Sequence, residues 1–158
     1  MITIAEVRDL IATLGIAEDT HVYSGKLPDK LERSIGCYNR KASNPPRTTI
    51  GTQPLYEVKP ISILVHWNKY QRQAEQAAQQ LYKALRELKD IKTTNNNHIA
   101  YAAMLQSEPI DVATDDKGIY EYVIELDFIY YSRKDDENGR NSVPSVQQQI
   151  QNRCQRTS

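Results

Sequence analysis

The chain has little of what marks secreted, membrane or nucleotide-binding proteins. It has only two cysteines, Cys37 and Cys154, and their separation fits neither a disulfide framework nor a metal-binding spacing. Its six glycines never form a glycine-rich phosphate loop. No apolar run is long enough for a transmembrane helix, and the start, MITIAEVRDL, lacks the basic segment and apolar core of a secretion signal. We therefore expect synthesis in a reducing cytosol, with both thiols free.

The chain also has no formal net charge at neutral pH. The 20 basic and 20 acidic residues balance, which argues against a globally basic nucleic-acid binder and against an acidic, solvating chain. With 158 residues, the chain is long enough for one domain with its own core. Phe and Trp occur once each, whereas there are ten tyrosines, whose side chains suit half-buried sheets and interfaces.

Catalytic and metal-binding motifs do not occur either. The chain contains no GxSxG, HExxH or CxxC sequence. His66 and His98 fall on predicted strands that would be neighbours in a sheet. Asp111 or Glu108 would complete a metal site there, but histidines on a half-exposed strand are more often plain polar surface. We therefore predict no enzyme activity, no cofactor and no metal site.

Two helices are predicted. Thr3 and Glu6 form a capping box at the start of the first helix. The second is an Ala-rich helix over about 70–89, and Asn68 and Gln71 have the spacing of another capping box. Its apolar stripe consists of Ala74, Ala77, Ala78, Leu81, Leu85 and Leu88. So narrow a stripe, with small residues at its start, indicates a helix that lies close on a sheet.

Strands are predicted at 20–24, 32–38, 58–67, 98–106 and 119–131. The last of them alternates most regularly. One face carries Tyr120, Tyr122, Ile124, Leu126, Phe128 and Tyr130. The other face carries Glu121, Val123, Glu125, Asp127, Ile129 and Tyr131. Because this second face is half acidic and half apolar, it indicates contact with another subunit, or an edge strand whose charges resist aggregation.

These elements predict an α+β fold, in which an N-terminal helix and one long helix pack on a mixed, mostly antiparallel sheet of about four to five strands. Residues 1–131 would form this single domain, and the polar segment 132–158 a flexible C-terminal tail.

The segment 39–57, which we call the basic loop, contains three prolines and interrupts the predicted strands. Its basic residues Arg40, Lys41 and Arg47 meet no acid before Glu57. These cations would complement the acidic face of the last strand on a neighbouring subunit, where they would set register and orientation. The alternative is a solvated excursion of the chain.

The order of these elements resembles the small tail-terminator, or minor capsid, proteins of long-tailed phages and of prophages in Gram-positive bacteria. The resemblance rests on THVYSGKLPDK after the first helix, on PISILVHW running into EQAAQQLYKAL, on LQSEPI, and on the closing GIYEYVIELDFIYY. It covers about residues 1–131 and leaves the tail unmatched. The basic loop is longer than the resemblance leads us to expect.

The resemblance implies a structural protein of the virion with no catalytic residues. Such proteins form a ring, often a hexamer, that caps the tail tube at its head-proximal end and joins tail to head. Assembly would take place in the cytoplasm of the bacterial host. The implied partners are further copies of the chain, the tail-tube protein and a head-completion or connector protein. Neither a membrane nor a sequence-specific nucleic acid is implied.

Three alternatives stay open. Another head–tail joining, head-completion or baseplate component would share the fold and composition. A nucleic-acid-associated protein of a mobile element would use the basic loop with Arg153 and Arg156, against the neutral net charge. A small enzyme would need a pocket built from His66, His98 and Tyr101.

Overall fold

A computed structural model of the protein describes residues 1–28, 31–41 and 56–132. In chain order the elements are α1 (Ile4–Thr13), a short 3-10 helix (Asp19–His21), β1 (Val22–Ser24), β2 (Ser34–Asn39), β3 (Glu57–His66), α2 (Gln71–Arg86), β4 (Lys89–Lys92), β5 (Asn97–Met104), β6 (Ile110–Thr114) and β7 (Tyr120–Ser132). The predicted α+β class is confirmed, with seven strands in one sheet where about four to five were expected. Within the described ranges no helix is long and apolar enough to cross a membrane.

The sheet is centred on β7, its longest strand. The strand order is β1-β2-β3-β7-β5-β4, and β6 also pairs with β7. β3 runs antiparallel to β7, from Glu57 opposite Tyr130 to His66 opposite Glu121. β1 and β2 are parallel and the other pairs are antiparallel, so the sheet is mixed and mostly antiparallel, as predicted. Most of the basic loop (42–55) and the residues 133–158 of the predicted tail lie outside the described residues.

Both helices pack on one face of the sheet, which we call the inner face. α1 contacts β1 and β2, while α2 contacts β3, β5 and β7. α2 buries the predicted stripe of Ala74, Ala77, Ala78, Leu81 and Leu85. Beneath it, the buried apolar residues of the two central strands are Ile61, Ile63, Val65, Tyr122, Ile124, Leu126, Phe128 and Tyr130. This layer is the hydrophobic core, and alanines in the helix let it approach the large side chains of the strands.

α1 begins with the predicted capping box, which also ties the helix to the sheet. The Thr3 hydroxyl accepts a hydrogen bond from the Glu6 amide at 3.3 Å, and the Glu6 carboxylate accepts one from the Thr3 amide at 2.8 Å. The same carboxylate accepts from Thr93 Oγ1 at 2.7 Å and from Asn97 Nδ2 at 3.1 Å. Burial alone would raise the pKa of Glu6, but these donors outweigh it and lower the pKa to about 2. Glu6 therefore stays ionised although it is buried.

The prediction of a second capping box is wrong. α2 follows Tyr70, and no side chain caps its first turn. Instead, Asn68 Nδ2 donates to Gln73 Oε1 at 2.6 Å, and Asn68 Oδ1 accepts from the Tyr70 amide at 3.0 Å. The Asn68 side chain thus holds the connection between β3 and α2. In a capping box, Asn68 would be the residue just before the helix and Gln71 its third residue. The helix instead begins at Gln71, so neither residue occupies its capping position.

Cys37 lies in β2, beneath α1, and is fully buried. Burial raises the pKa of its thiol to about 12, although the charge of Arg8 acts in the opposite direction. The thiolate is the reactive form of cysteine, so this buried thiol is inert at neutral pH. Cys37 is a free thiol of the core, and Cys154 lies outside the described residues.

Candidate interface on the outer face of the sheet

The face of the sheet opposite the helices, which we call the outer face, is not covered by any element within the described ranges. The predicted alternation of β7 is confirmed. Its inner residues from Tyr122 to Tyr130 are at most 4% exposed. Its outer residues from Glu121 to Tyr131 all keep part of their surface in water. The strict alternation therefore reports a strand with one face in the core and one face open.

The outer face has an apolar part. In the register of the sheet, Leu64 pairs with Val123, Val58 pairs with Ile129, and Tyr101 lies on the other side of Ile129. Val58 is 40% exposed and Tyr101 is 50% exposed. We call the following residues the apolar patch: Tyr38, Val58, Leu64, Tyr101, Val123, Ile129 and Tyr131. Aromatic and aliphatic side chains clustered on an open sheet face are typical of a surface that another protein covers.

The first basic residue of the basic loop, Arg40, contacts the acidic outer face of β7 in the same chain. Arg40 Nη2 forms an ion pair with Asp127 Oδ1, and the two side chains are only 22% and 25% exposed. Lys41 is exposed, and Arg47 lies outside the described residues. The Arg40–Asp127 pair fixes the start of the basic loop on the outer face, beside Ile129. Contact of the remaining cations with a neighbouring subunit stays a prediction.

The other two carboxylates on the outer face of β7 also have partners in the chain. Glu125 accepts a hydrogen bond from Gln106 Nε2 at 3.2 Å. Glu121 Oε1 lies 2.8 Å from His66 Nδ1, and Asp115 Oδ2 lies 3.7 Å from His66 Nε2. Each of these carboxylates therefore has a hydrogen-bond or ion-pair partner within the chain.

The residues of the pocket that the alternative of a small enzyme requires are not brought together. His66 pairs with Glu121 at one end of β7, whereas His98 pairs with Tyr131 at the other end. Ten residues of strand separate these two positions, a distance of about 33 Å. The His98 ring stacks on Tyr131 with centroids 5.3 Å apart, and Tyr101 is an exposed member of the apolar patch. His66 instead lies with Asp115 and Glu121, and His98 is not part of this cluster.

Three members of the apolar patch were not predicted from the sequence. Tyr38, Val58 and Tyr101 reach the patch through their pairing with β3 and β7. The register of one strand against another is set by the whole sheet, so it cannot be read from either strand alone. The available signal was the excess of tyrosine, which marks half-buried sheet surfaces without saying which tyrosines lie there.

The sequence profile of a family described as bacteriophage tail terminator protein matches residues 10–132. The chain belongs to this tail terminator family. The match extends from α1 to the end of β7 and so includes the whole sheet with both of its faces. The resemblance seen in the sequence is thereby confirmed. No curated protein matches the chain significantly. As a member of the tail terminator family, the protein is a structural component of the phage tail and interacts with other proteins of the virion.

Proposed function

We propose that this tail terminator caps the head-proximal end of the tail tube as a closed ring of identical subunits and joins the tail to the head. The observation that carries the proposal is the outer face, which combines an apolar patch that no described helix or strand covers with carboxylates that have partners within the chain. Among the described residues of a single subunit, Val58 and Tyr101 of this patch are 40% and 50% exposed. Neighbouring copies around a ring would cover it, which makes assembly favourable.

The mechanism of termination would be steric and without a chemical step. A ring forms when one surface of a subunit binds a different surface of the next subunit and the rotation between them closes. The outer face would supply one of these surfaces. Lys41 and the residues that follow would supply charges that orient the contact, because such charges favour one register over others.

One side of the ring would bind the tail-tube protein and the other side a head-completion or connector protein. Growth of the tube stops because the second side differs from the surface that a tube subunit offers. The role proposed is structural and not catalytic, and it involves neither a membrane nor a sequence-specific nucleic acid. One feature of the fold that supports such a role is a sheet with one side buried under both helices and the other side covered by no described helix or strand.

Light scattering on the purified protein at several concentrations, alone and with purified tail-tube protein, tests this proposal. We expect a closed oligomer, formed either alone or on the tube, and arrest of tube growth. Tyr101→Lys, on the outer face, would abolish the oligomer, whereas Tyr70→Lys, an equally apolar tyrosine that is 67% exposed before α2, would not. A protein that stays monomeric with and without tubes would overturn the proposal.

The effect of the protein on tube growth distinguishes a tail terminator from the related components of the head–tail junction. A terminator binds the tip of the tube and limits tube length. A head-completion protein forms its oligomer without binding free tubes, and a baseplate component promotes the start of tube growth. Tube lengths measured by electron microscopy, with and without the protein, separate these outcomes.

A further inference from the structure

A cluster of three metal-binding side chains lies at the end of the outer face that is far from His98. It consists of His66 at the end of β3, Asp115 in the turn between β6 and β7, and Glu121 near the start of β7. One nitrogen of His66 and one oxygen of each carboxylate all lie within 4.8 Å of one another. The three ligands come from three separate segments of the chain and meet only in the folded sheet.

The fold orients each of these side chains before any ion is present. His66 and Glu121 are direct cross-strand partners, with Nδ1 and Oε1 2.8 Å apart. Asp115 Oδ1 accepts hydrogen bonds from the backbone amides of Lys117 and Ile119, each at 2.9 Å. These bonds leave Asp115 Oδ2 on the side of His66, 3.7 Å from Nε2. Ligands held by further hydrogen bonds are the arrangement that metal sites use to fix geometry.

The cluster is reachable from solvent although its histidine is buried. His66 is 9% exposed, and it borders a cleft of about 560 Å³ together with both carboxylates. The other walls of the cleft include Lys26, Leu27, Tyr38 and Leu64. An ion would enter through the cleft, and water would complete its coordination.

We propose that His66, Asp115 and Glu121 bind one divalent transition-metal ion of the Zn²⁺ class. Imidazole nitrogen combined with two carboxylates is a donor set suited to zinc, whereas Mg²⁺ and Ca²⁺ prefer sites made of oxygen ligands alone. With one ligand atom from each residue, the ion links β3, the β6–β7 turn and β7. Because it binds the folded chain, it stabilises that corner of the sheet. The site does not depend on ring formation.

Titration calorimetry with ZnCl₂, and with MgCl₂ in parallel, tests the site on the untagged full chain carrying Cys154→Ser, which removes a competing thiol. We expect one Zn²⁺ per chain, a rise in the melting temperature with Zn²⁺, and no effect of Mg²⁺. His66→Gln and Glu121→Gln would each weaken Zn²⁺ binding at least tenfold. His98→Gln, the matched control at the other end of β7, would bind as tightly as the parent protein.

Equal Zn²⁺ affinity in the parent and in His66→Gln, or no saturable binding by the parent at all, would overturn the site. The cluster would then be an ordinary hydrogen-bonded group of polar side chains. If His66→Gln fails to fold, Asp115→Asn decides the question, because it keeps the acceptor for both turn amides and removes only the charge. Zn²⁺ binding that is unchanged in Asp115→Asn would likewise overturn the proposal.

Discussion

Leu126 and Phe128 are fully buried beneath α2, whereas Asp127 and Ile129, their neighbours in sequence, keep part of their surface in water on the outer face. The two faces of β7 therefore place different demands on alternate residues of one strand. The inner face is apolar and covered, so its residues determine whether the chain folds. The outer face mixes charges with the apolar patch, and under the proposed function its residues determine what the folded chain binds. Folding and assembly can then be altered separately along a single strand.

Carboxylates show the same contrast between the two sides of the sheet. Glu6, on the helix side, accepts hydrogen bonds from Thr3, Thr93 and Asn97. Asp127, on the outer face, forms an ion pair with Arg40, the one that the described residues show for it. A buried charge is tolerated only when several donors satisfy it, whereas a half-exposed charge is completed by water. Removing the two carboxylates should therefore have very different effects on stability.

The largest effect is expected from the core. Phe128→Ala leaves a cavity under α2 and should lower the free energy of unfolding by about 3–5 kcal/mol. Ile129→Ala, one residue away on the outer face, should lower it by about 1 kcal/mol or less. Urea denaturation of both variants measures the difference. Equal losses would mean that the outer face is as much a part of the core as the inner face.

The next largest effect on stability is expected when the buried carboxylate of Glu6 is protonated at low pH. The pKa of Glu6 is about 2 in the folded chain and 4.5 as its ordinary value, so the ionised form stabilises the folded state fully above about pH 4.5. This contribution, about 3 kcal/mol, should be lost as the pH falls from 4.5 towards 2.

Unfolding free energies measured at several pH values for the parent and Glu6→Gln check this expectation. Glu6→Gln should be less stable at neutral pH, and the two proteins should converge near pH 2. Glu125→Gln, on the outer face, is the matched control and should show little difference at either pH. A gap between parent and Glu6→Gln that persists at low pH would argue against the role of the charge.

A smaller effect is expected at the start of the basic loop. Asp127→Asn should lower stability by about 1 kcal/mol, since the Arg40 pair is partly exposed and screened by salt. A double-mutant cycle with Arg40→Gln, at low and high salt, isolates the energy of the pair. A coupling of zero, or one that does not weaken with salt, would contradict the ion pair as the main contact.

The smallest effect on folding is expected at the most exposed member of the apolar patch. Tyr101→Ser should change the free energy of unfolding by less than about 0.5 kcal/mol while it weakens assembly. Thermal melting and light scattering on the same sample compare the two properties. Loss of stability together with unchanged assembly would reverse the assignment of the two faces.

Much of the fold could be predicted because its main elements carry strong patterns. The alternation of β7 extends over 13 residues, and the stripe of α2 places small and large apolar residues on one face of the helix. β4 and β6 were not predicted because the segments KDIK and IDVAT, of four and five residues, are too short to establish a period of two. Such strands form because a neighbouring strand offers its edge, which is a property of the sheet and not of the segment.

The candidate interface was predicted in part for the same reason. The outer residues of β7 follow from its period of two, and Leu64 follows from the alternation of β3. The cluster of His66, Asp115 and Glu121 could not be predicted, because it requires the register of β3 against β7 and the course of the β6–β7 turn. His66 and His98 share a place on strands of one sheet, but a shared sheet does not bring two side chains together.

The burial of Cys37 allows local opening of the fold to be measured by the alkylation of its thiol. Its thiol, with a pKa of about 12 beneath α1, can react with an alkylating reagent only in molecules that have opened locally. In a Cys154→Ser background, the rate of alkylation therefore counts how often the layer between α1 and β2 comes apart. Slower alkylation of Cys37 on addition of tail tubes would show that binding at the outer face stabilises the packing of α1 on the inner face.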